Sequence, residues 1–385
     1  MKIIALTSIR SEYDLLSELY RSLDRDKDID FRLVVGGAHN SLRHGNTYED
    51  IVKDGFPILC KIESLLDSDS ATSRIKSASI LLLSIIDIVN GFCPDLIVYA
   101  GDREEALIGA MLGAYLGVPT MHFFGGDHAA DGHVDNPVRH AASKLSTCHL
   151  VSTSEHKKRL QAIGEPDSRI FNIGSVALDK FVNTKVIHNV ADSIHGAPIK
   201  KKIALFIFHP VSGELACVRQ IINDALRALF DSDYHVFIGF PNSDLGSSDI
   251  SKAIEQALVD KHDYTFYGNL DRERFINLFR SSSLIAGNSS AGILEAASIP
   301  IPCINIGQRQ RGRCSGNNVV FVDADYCSIK QGIDEVNSVA FIEQLSGVKN
   351  PYGDGKAVDK AMAIIKGSDF RTMFEKKEDP LSVQS

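Results

Sequence analysis

Short apolar runs alternate along the chain with segments in which apolar residues recur at helical spacing. Residues 2–8, "KIIALTS", form a continuous apolar run of the kind that a strand buried on both faces needs. Residues 12–23, "EYDLLSELYRSL", follow with the period of an amphipathic helix. The same alternation continues with apolar runs at 31–37, 95–101 and 118–126 and in "STCHLVST". Strands that alternate with helices in this way predict βαβ units and therefore a parallel sheet.

A second series of the same kind begins after a break in the pattern. Residues 202–210, "KIALFIFHP", start it, and a helical segment at 214–230 and an apolar run at 234–240 continue it. Later strands are predicted in "TFYGNL", "SLIAGNSS" and "PIPCINIG". The segment before this series, 176–200, ends in Gly, Pro and a run of Lys, which is typical of a hinge. We therefore predict an α/β fold in which two doubly wound parallel sheets face each other across a cleft.

The break sets the expected domain boundaries. We predict a Rossmann-like N-terminal domain over 1–175, a hinge over 176–200 and a Rossmann-like C-terminal domain over 201–355. A helix over 355–375 is expected to pack back on the N-terminal domain. The polar tail after residue 375 is expected to be disordered.

Composition and charge restrict the classes of partner. The 385 residues carry a net charge of −8, with 44% apolar and 23% charged residues, which is typical of a soluble globular protein. An acidic chain argues against non-specific nucleic-acid binding. It does not exclude an anionic small ligand, because a few arginines in a cleft can dominate the local field.

Cysteine usage and the apolar segments indicate the compartment. Seven Cys occur singly, without a CxxC pair, which fits unpaired thiols in a reducing cytoplasm. The first residues, "MKIIALTSIRSEYD", reach an Arg and a Glu too early for a signal peptide. The most apolar segment, Ile80 to Val89, is short and contains Asp87, so we expect no membrane span.

Polar residues directly follow several predicted strands, and open α/β sheets bind ligands at the carboxyl ends of their strands. Arg10 follows the first strand and is either a solvated charge or a diphosphate clamp, since a guanidinium matches phosphate oxygens. His39 follows the second strand and is either structural or a ligand contact. Asp102 opens a helix, either as its N-cap or as a base, and Arg103 beside it favours the ionised carboxylate.

The stretch from 122 to 135 is unusually rich in titratable residues, with three His and three Asp. Its spacing does not form HExxH or a similar helical pair, so we expect no metal. Polar crowding beside a Gly-Gly turn fits acid–base chemistry on a sugar better. Asp135, just before the helix that Pro137 opens, is the preferred carboxylate.

Several Ser and Gly residues lie between a predicted strand and the helix that follows it, in "AGNSSAGILEAA" at 286–297. One interpretation is an ordinary turn with a helix N-cap. The other is an anion-binding site at the helix N-terminus, formed by Ser289, Ser290 and the backbone around Gly292. Glu295 lies one turn further in, where a carboxylate can accept both hydroxyls of a ribose.

Further polar residues in the second half of the chain support an anion site. His209 ends the first strand of this half, and Pro210 presents its ring at the strand end. Arg309, Arg311 and Arg313 in "INIGQRQRGR" supply positive charge in an acidic chain. Together these residues predict a pocket for a nucleotide diphosphate.

These motifs resemble those of the hydrolysing UDP-N-acetylglucosamine 2-epimerases of bacterial sialic- and nonulosonic-acid synthesis, which have the GT-B fold. The similarity covers roughly residues 1–370. It rests on "GGAHNS", "AGDR", "HFFGGD", "DNPVRHAASKLS", "FHP", "GNSSAGILEA" and "NIGQRQRGR", all in the family's order. The resemblance implies nucleotide binding by the C-terminal domain and acid–base residues in the N-terminal domain.

The resemblance also assigns roles to individual positions. The residues that would grip the diphosphate are Arg10, Ser289, Ser290 and Arg313. Glu295 would bind the ribose, and His209 would lie near the phosphates and the sugar. Asp102 and Asp135 match the two acidic residues that transfer protons.

Three departures from the family pattern affect the sugar end of the site. Ser8 stands where many relatives have Gly. Phe124 stands where the family motif H-x-E-G-G-E has its first, catalytic Glu, and Asp127 replaces the last Glu. Asp127, His128 or His133 would have to replace the missing acid, unless the substrate differs.

The activity that the resemblance implies converts UDP-N-acetylglucosamine and water into N-acetylmannosamine and UDP. UDP is eliminated to leave a bound 2-acetamidoglucal, which is then hydrated, without a cofactor or a metal. A close alternative is the same chemistry on a UDP- or GDP-linked 2,4-diacetamido-2,4,6-trideoxyhexose of the legionaminic type. A remoter alternative is a glycosyltransferase, because the GT-B fold also hosts sugar transfer. The expected assembly is a homodimer or a higher homo-oligomer.

Overall fold

The protein consists of two compact units in a computed structural model that describes residues 1–42, 46–66, 68, 70–128, 134–211, 215–239, 247–268 and 270–383. The first unit holds the described residues of Met1–His128, Gly132–Lys180 and Tyr352–Ser385. The second holds those of Phe181–Pro351. The chain therefore returns to the first unit after it has completed the second.

Each unit is built on one parallel sheet. The strands of the first unit are β1 (Lys2–Thr7), β2 (Asp30–Val35), β3 (Ile58–Lys61), β4 (Leu96–Ala100), β5 (Thr120–Phe123), β6 (Cys148–Val151) and β7 (Ile170–Asn172). Those of the second are β8 (Lys202–Ile207), β9 (Tyr234–Gly239), β10 (Tyr264–Tyr267), β11 (Leu284–Gly287), β12 (Cys303–Ile306) and β13 (Val319–Val322). The strand orders are β3-β2-β1-β4-β5-β6-β7 and β10-β9-β8-β11-β12-β13, which confirms the predicted doubly wound sheets.

Helices connect the strands in both units. Those of the first unit are α1 (Arg10–Arg25), α2 (Tyr48–Asp54), α3 (Ala71–Phe92), α4 (Glu104–Leu116), α5 (Asp135–Leu145) and α6 (Ser154–Ala162). α7 (Ala177–Asn183) spans the boundary between the units. The second unit holds α8 (Val190–His195), α9 (Val218–Phe230), α10 (Ser247–Ala257), α11 (Arg272–Ser281), α12 (Ala291–Leu294), α13 (Tyr326–Val336) and α14 (Val339–Leu345). The chain ends with α15 (Ala357–Gly367), α16 (Phe370–Phe374) and α17 (Pro380–Val383), which belong to the first unit.

The continuous apolar runs in the sequence are strands with both faces buried. In β1, Ile3 and Ala5 belong to one buried cluster, whereas Ile4 and Leu6 belong to another on the opposite face. Successive side chains of a strand point to opposite faces, so both faces of β1 must be apolar.

Three strands, β3, β7 and β13, were not predicted from the sequence. All three are at sheet edges and have three or four residues. Most of their side chains are only half-buried, and the strands are too short to be distinguished in the sequence from the segments around them.

The strand order reverses between β1 and β4 in the first unit and between β8 and β11 in the second. At such a switch point the connections leave in opposite directions and open a crevice at the carboxyl ends of the two strands. Arg10 and Asp102 follow β1 and β4, whereas His209 and Ser289 follow β8 and β11. These four polar residues therefore lie at the two switch points.

The segment expected to be a hinge contains regular structure. α7 and α8 lie within 176–200, and the boundary between the compact units falls inside α7, after Lys180. The chain crosses back after Pro351, and α15 packs against α1 in the first unit.

The tail after residue 375 is held by buried charges, so the expectation of disorder is wrong for residues 375–380. Glu165 is fully buried and binds Nε2 of His149 at 2.9 Å and Nζ of Lys376 at 2.6 Å. Arg169, also buried, donates to the carbonyl of Glu375 at 2.9 Å and pairs with Glu378. Burial raises the pKa of Glu165, but the hydrogen bond from His149 and the charge of Lys376 outweigh this effect and lower that pKa to about 2.

One helix is longer and more apolar than the sequence led us to expect. α3 has 22 residues, and its part Thr72–Phe92 has the length and composition to cross a membrane, although only 22% of that stretch is buried. The expectation of no membrane span rested on Ile80 to Val89 alone, and the full length of α3 does not support it. In the structure Leu81, Ile85 and Val89 are buried in the core of the first unit.

The buried charge cluster makes the free energy of unfolding sensitive to Glu165. Glu165→Gln leaves Lys376 and Lys144 without their carboxylate, and we expect the free energy of unfolding to fall by roughly 3 kcal/mol in urea denaturation followed by circular dichroism. Glu155→Gln, which removes an exposed pair with Arg159 in the same unit, is the control and should cost less than about 0.5 kcal/mol. Equal losses for the two variants would contradict the assignment.

Candidate active site

In the first unit, Asp102 is held by a buried arginine. Gly101 turns the chain with φ of 83° after β4, and Asp102 follows at the carboxyl end of that strand. Arg139, on α5, donates from Nη2 to Oδ2 of Asp102, and the side chain of Arg139 is 10% exposed. A guanidinium so little exposed needs carboxylate partners, because an unpaired buried charge is costly.

The same guanidinium joins two loops. Nη1 of Arg139 lies 3.1 Å from Oδ2 of Asp127 and 3.4 Å from the carbonyl oxygen of Phe124. The other oxygen of Asp127 lies 3.3 Å from Nε2 of His156, which is buried. Both oxygens of Asp127 therefore have a partner, and Arg139 fixes the end of β4 relative to the loop after β5. Arg139 lies in the motif "RHAASK", but its charge alone did not distinguish it there.

Asp135, the preferred carboxylate, begins α5. Its Oδ1 lies 3.8 Å from Nη2 of Arg74, and Arg74 binds both oxygens of Glu104 at 2.6 to 2.9 Å. Asp135 and Arg139 are four residues apart and share one face of the helix. Asp135 lies on this face of α5, and Arg139 on the same face binds Asp102. The two carboxylates are therefore brought to one face of α5.

A pair of glutamates at the same switch point was missed in the sequence. Burial and the charge of Glu105 raise the pKa of Glu12 well above its usual value. Burial likewise raises the pKa of Glu105, although Arg103 lies 3.7 Å from its carboxylate. Perturbed carboxyl groups in one place are typical of functional sites. The signal in the sequence was the acidic residue two positions after Arg10 and the Glu pair in "DREEA".

Arg10 and His39, the polar residues after the first two strands, differ in exposure. Arg10 is the first residue of α1, and its side chain is 39% exposed, with Nε 3.8 Å from Oδ2 of Asp14. His39 is fully buried, and its ring nitrogens lie 3.0 Å from the hydroxyl of Thr7 and 2.7 Å from that of Thr47. Burial lowers the pKa of His39 to about 4, so the ring is neutral at pH 7. His39 thus joins the end of β1 to the start of α2.

Phe124, at the position of the missing family acid, has an uncommon backbone conformation. Its φ is 62°, its N–H donates to the carbonyl of Leu150, and its ring packs against a hydrophobic cluster of the first unit. Asp127 is described nearby, whereas His133 lies outside the described residues. Positive φ in a bulky residue is strained and persists only where surrounding contacts hold it.

In the second unit, Asn288 joins the ends of β8 and β11. Its Oδ1 accepts from the N–H of His209 at 2.7 Å, and its Nδ2 donates to the carbonyl of His209 at 2.8 Å. Gly287 before it has φ of 129°, and a Cβ there would lie 2.0 Å from the carbonyl oxygen of Ile207. Only glycine allows this approach, and Asn288 then fixes the backbone of His209.

The helix that was predicted to follow Ser290 is shorter than expected. α12 has only four residues, with Ser290 at its N-cap, and the chain continues as a 3₁₀ turn. The hydroxyl of Ser289 accepts from the N–H of Ala291 at 3.3 Å. A Cβ on Gly292 would lie 2.4 Å from Sγ of Cys303, so this glycine serves the packing of α12 against β12. A single turn has little dipole, and an anion here would depend on hydroxyls, N–H groups and arginines.

Glu295 is paired with an arginine that the sequence patterns did not distinguish. Glu295 is buried, and its Oε1 accepts from Nη2 of Arg272 at 2.7 Å. Arg272 begins α11, and its guanidinium lies over the ring of Phe275, 5.8 Å from the centroid. The cation therefore orients the carboxylate that was expected to bind ribose.

The three arginines after β12 have different hydrogen-bond partners. Nη1 of Arg309 donates to the carbonyl of Asn288 at 3.0 Å, whereas Arg311 pairs with Asp323 at 2.8 Å. Nη1 of Arg313 donates to Oε1 of Gln310 at 2.9 Å, and Gln310 in turn donates to the carbonyl of Asn288. Arg309 and Arg313 thus join the Asn288 network, and Arg311 does not.

Across the described residues, no group of three or more His, Cys, Asp or Glu side chains is arranged to hold a metal ion. The chemistry present at the two switch points is that of carboxylates, guanidinium groups, hydroxyls and an imidazole. Such groups transfer protons and bind phosphates.

Known proteins share both the sequence and the fold. A sequence model of the family described as UDP-N-acetylglucosamine 2-epimerase matches residues 21–366. A protein of Legionella pneumophila named UDP-N,N'-diacetylbacillosamine 2-epimerase (hydrolyzing) is 34% identical over 95% of both chains. A GDP/UDP-N,N'-diacetylbacillosamine 2-epimerase (hydrolyzing) of Campylobacter jejuni is 31% identical over 88% of both chains.

The solved structure of UDP-GlcNAc 2-epimerase from Neisseria meningitidis, bound to UDP-GlcNAc, superimposes with a TM-score of 0.82 at 15% identity, covering 96% of this chain and 100% of that one. At this identity the likeness shows the fold, which is GT-B-like. The family match covers most of the chain and includes Asp102, Asp135, His209 and Glu295. The chain therefore belongs to the UDP-N-acetylglucosamine 2-epimerase family.

Proposed function

We propose that the protein is a hydrolysing 2-epimerase that releases UDP from a UDP-linked 2-acetamido sugar and inverts the configuration at C2. The observation that carries the proposal is the pair of Asp102 and Arg139, an acid at the end of β4 held by a buried guanidinium that also binds Asp127. The names of the two relatives above support water as the second substrate.

The order of bond breaking follows from the acidity of C2. No carbonyl adjoins C2 in the sugar, so its proton is hardly acidic until the C1–O bond begins to break. Breaking that bond builds oxocarbenium character and places negative charge on the departing diphosphate. Cationic groups and N–H donors that stabilise this charge accelerate the step. Loss of the C2 proton gives a glycal, and reprotonation from the opposite face with addition of water at C1 gives the free epimer.

Asp102 and Asp135 are the groups to which we assign proton transfer. They follow β4 and begin α5, respectively. Arg139 is a positioning residue that holds Asp102, and Asp127 fixes Arg139 from the other side. Asp127 thus belongs to the support of the acid–base pair.

The residues of the second unit are assigned to the nucleotide. Ser289, Ser290, Arg309 and Arg313 provide donors for the diphosphate. Asn288 fixes the backbone of His209, and we assign the His209 ring to contact with the phosphates. Glu295, oriented by Arg272, accepts the ribose hydroxyls.

For the sugar, we propose UDP-N,N'-diacetylbacillosamine first and UDP-N-acetylglucosamine second. Phe124 replaces a carboxylate with an apolar ring, which suits a 6-deoxy sugar with a second acetamido group better than one with hydroxyls at C4 and C6. The names of the relatives at 34% and 31% identity point the same way. UDP-N-acetylglucosamine is retained because a Neisseria meningitidis relative of that name is 27% identical over 89% of both chains.

We propose the cytoplasm as the setting for this activity, because it supplies nucleotide sugars. Its reducing conditions also suit the seven unpaired cysteines. We also propose that the protein is a homo-oligomer that needs no cofactor.

The proposed reaction predicts a specific pattern of solvent labels. We expect turnover of UDP-N,N'-diacetylbacillosamine in ²H₂O and H₂¹⁸O to give a free sugar with deuterium at C2 and ¹⁸O at C1, together with unlabelled UDP. UDP-N-acetylglucosamine, tested in parallel, should react more slowly. Product without either label, or UDP release only when a sugar acceptor is added, would contradict hydrolysing epimerisation.

Removing the charge of Asp102 should stop proton transfer without affecting nucleotide binding. Asp102→Asn keeps an oxygen for Arg139, and we expect kcat to fall by roughly 10² to 10⁴. The Kd of UDP, measured by calorimetry, should stay within about twofold, because the nucleotide is assigned to other residues. Asp95→Asn, at the opposite end of β4, is the matched control and should retain normal kcat. A similar kcat for both variants would refute the role of Asp102.

Arg272 should matter for nucleotide affinity more than for turnover. Arg272→Ala leaves Glu295 without its cation, and we expect UDP to bind about tenfold more weakly, with kcat changed by less than about threefold. The preference for UDP over its 2′-deoxy analogue should also decrease, and Arg272→Lys should restore part of it. Arg274→Ala on the same helix is the control. Unchanged UDP affinity in Arg272→Ala would show that Arg272 does not position Glu295.

A further inference from the structure

One buried asparagine of the second unit lacks hydrogen bonds from its side chain. Asn305, the third residue of β12, is fully buried, and among the described residues neither its Oδ1 nor its Nδ2 has a partner. An unpaired buried amide is costly, because it gives up its bonds to water and receives none in return. A group of this kind in a native fold calls for an explanation, and a role in binding is one of the few.

Three other asparagines are buried in the described part of the second unit, and each of them is hydrogen-bonded. Asn277 and Asn288 use both ends of the amide, and Nδ2 of Asn318 donates to the carbonyl of Ile301 at 3.0 Å. These bonds join separate segments of the chain, so the three residues stabilise the fold. Asn305 makes no such bond, and its amide is therefore not explained by support of the fold.

The position of Asn305 in the sheet brings its amide close to the proposed diphosphate site. Side chains alternate between the faces of a strand, so Asn305 lies on the same face of β12 as Cys303. α12 covers this face, since a Cβ on Gly292 would lie 2.4 Å from Sγ of Cys303. Asn305 is aligned with Gly287, the last residue of β11, from which the chain turns toward α12. The amide therefore lies below the connection between β11 and α12, which contains Ser289.

Ser289 is the residue of this connection through which the amide can act. Its side chain is buried, and its Oγ accepts from the N–H of Ala291 at 3.3 Å, which is a long bond. A hydroxyl group has one proton to donate and two lone pairs to offer. When the proton is donated to a phosphate oxygen, a lone pair can accept a bond from another donor. The unpaired Nδ2 of Asn305, below the connection, is such a donor.

We propose that Asn305 is a positioning residue of the diphosphate site, whose Nδ2 donates to Oγ of Ser289 when Ser289 donates to a phosphate oxygen of a bound nucleotide. The amide is thus unpaired without a nucleotide and paired when one is bound. The chain of bonds from amide to hydroxyl to phosphate strengthens the binding of UDP, because each donor polarises the next. The inference rests on the assignment of Ser289 to the diphosphate made above.

A purely structural role for Asn305 predicts the opposite change in stability. If the amide supported the fold, for instance through an internal water molecule, a leucine of similar size would break its bonds and lower the Tm. If the amide is unpaired until a nucleotide binds, leucine removes an unsatisfied group and packs among the apolar residues around Cys303. The Tm and the affinity for UDP should then change independently.

The variant Asn305→Leu, made in the full chain, tests the proposal. We expect its Tm without ligand, followed by circular dichroism, to equal or exceed that of the wild type, and its Kd for UDP in calorimetry to rise roughly tenfold. The Kd of uridine, which has no phosphate, should stay within about twofold in ligand-observed NMR. Ser289→Ala should also weaken UDP binding. Adding Asn305→Leu to it should change the Kd by less than about twofold, because residues that act as one unit are not additive.

The matched control is Asn318→Leu, because Asn318 is equally buried but lies at the amino end of β13. This variant should lower the Tm, since the carbonyl of Ile301 loses its donor, and leave the Kd of UDP unchanged. A lower Tm or an unchanged Kd of UDP in Asn305→Leu would overturn the inference. So would equal weakening of uridine, or additive losses in the double variant. A wild-type chain that binds UDP no more tightly than uridine would instead refute the diphosphate site itself, and the inference with it.

Discussion

Burial of both faces of each parallel sheet is the constraint on which the rest of the structure depends. Ile3 and Ile4, neighbours in β1, belong to clusters on opposite faces, and Leu205 and Phe206 of β8 do the same in the second unit. Strands of this kind have no face that is mainly polar, so the polar residues that could meet a ligand follow the strands. At the carboxyl ends the reversal of strand order opens a crevice, and Asp102 in the first unit and His209 in the second follow strands that border it.

Buried polar groups at these crevices are oriented by partners that do not react themselves. Arg139 binds Asp102 and Asp127, Arg272 binds Glu295, and Asn288 binds both backbone groups of His209. Arg139 and Asn288 are buried and Arg272 is mostly so, and the loss of one would leave a buried charge or donor unsatisfied. The same contacts that stabilise the loops therefore orient the carboxylates of Asp102 and Glu295 and fix the backbone of His209.

Much of this arrangement was predictable from the sequence, because strand ends and polar clusters are local features. The doubly wound sheets, the family, and the placing of Asp102 and His209 at strand ends all follow from local patterns and motifs. Arg139 and Arg272 were not predictable, since their importance comes from carboxylates 37 and 23 residues away in the chain. The engagement of His39 by two threonines was hidden for the same reason. The single turn of α12 was missed because a helix signal in sequence does not report where packing against β12 ends it.

Phe124 shows how a position can lose its family residue without losing the geometry around it. The chain reverses there with φ of 62°, and the contacts that hold the turn are made by the backbone: its N–H donates to Leu150, and its carbonyl accepts from Arg139. Any L-residue at this position bears the same strain, so the conformation does not depend on the side chain. Arg139 contacts Phe124 only at its carbonyl oxygen, so its bond with Asp102 does not involve the side chain at 124. The bonds that support Asp102 are therefore independent of the side chain at 124, so we relate Phe124 to the choice of sugar proposed above and not to proton transfer.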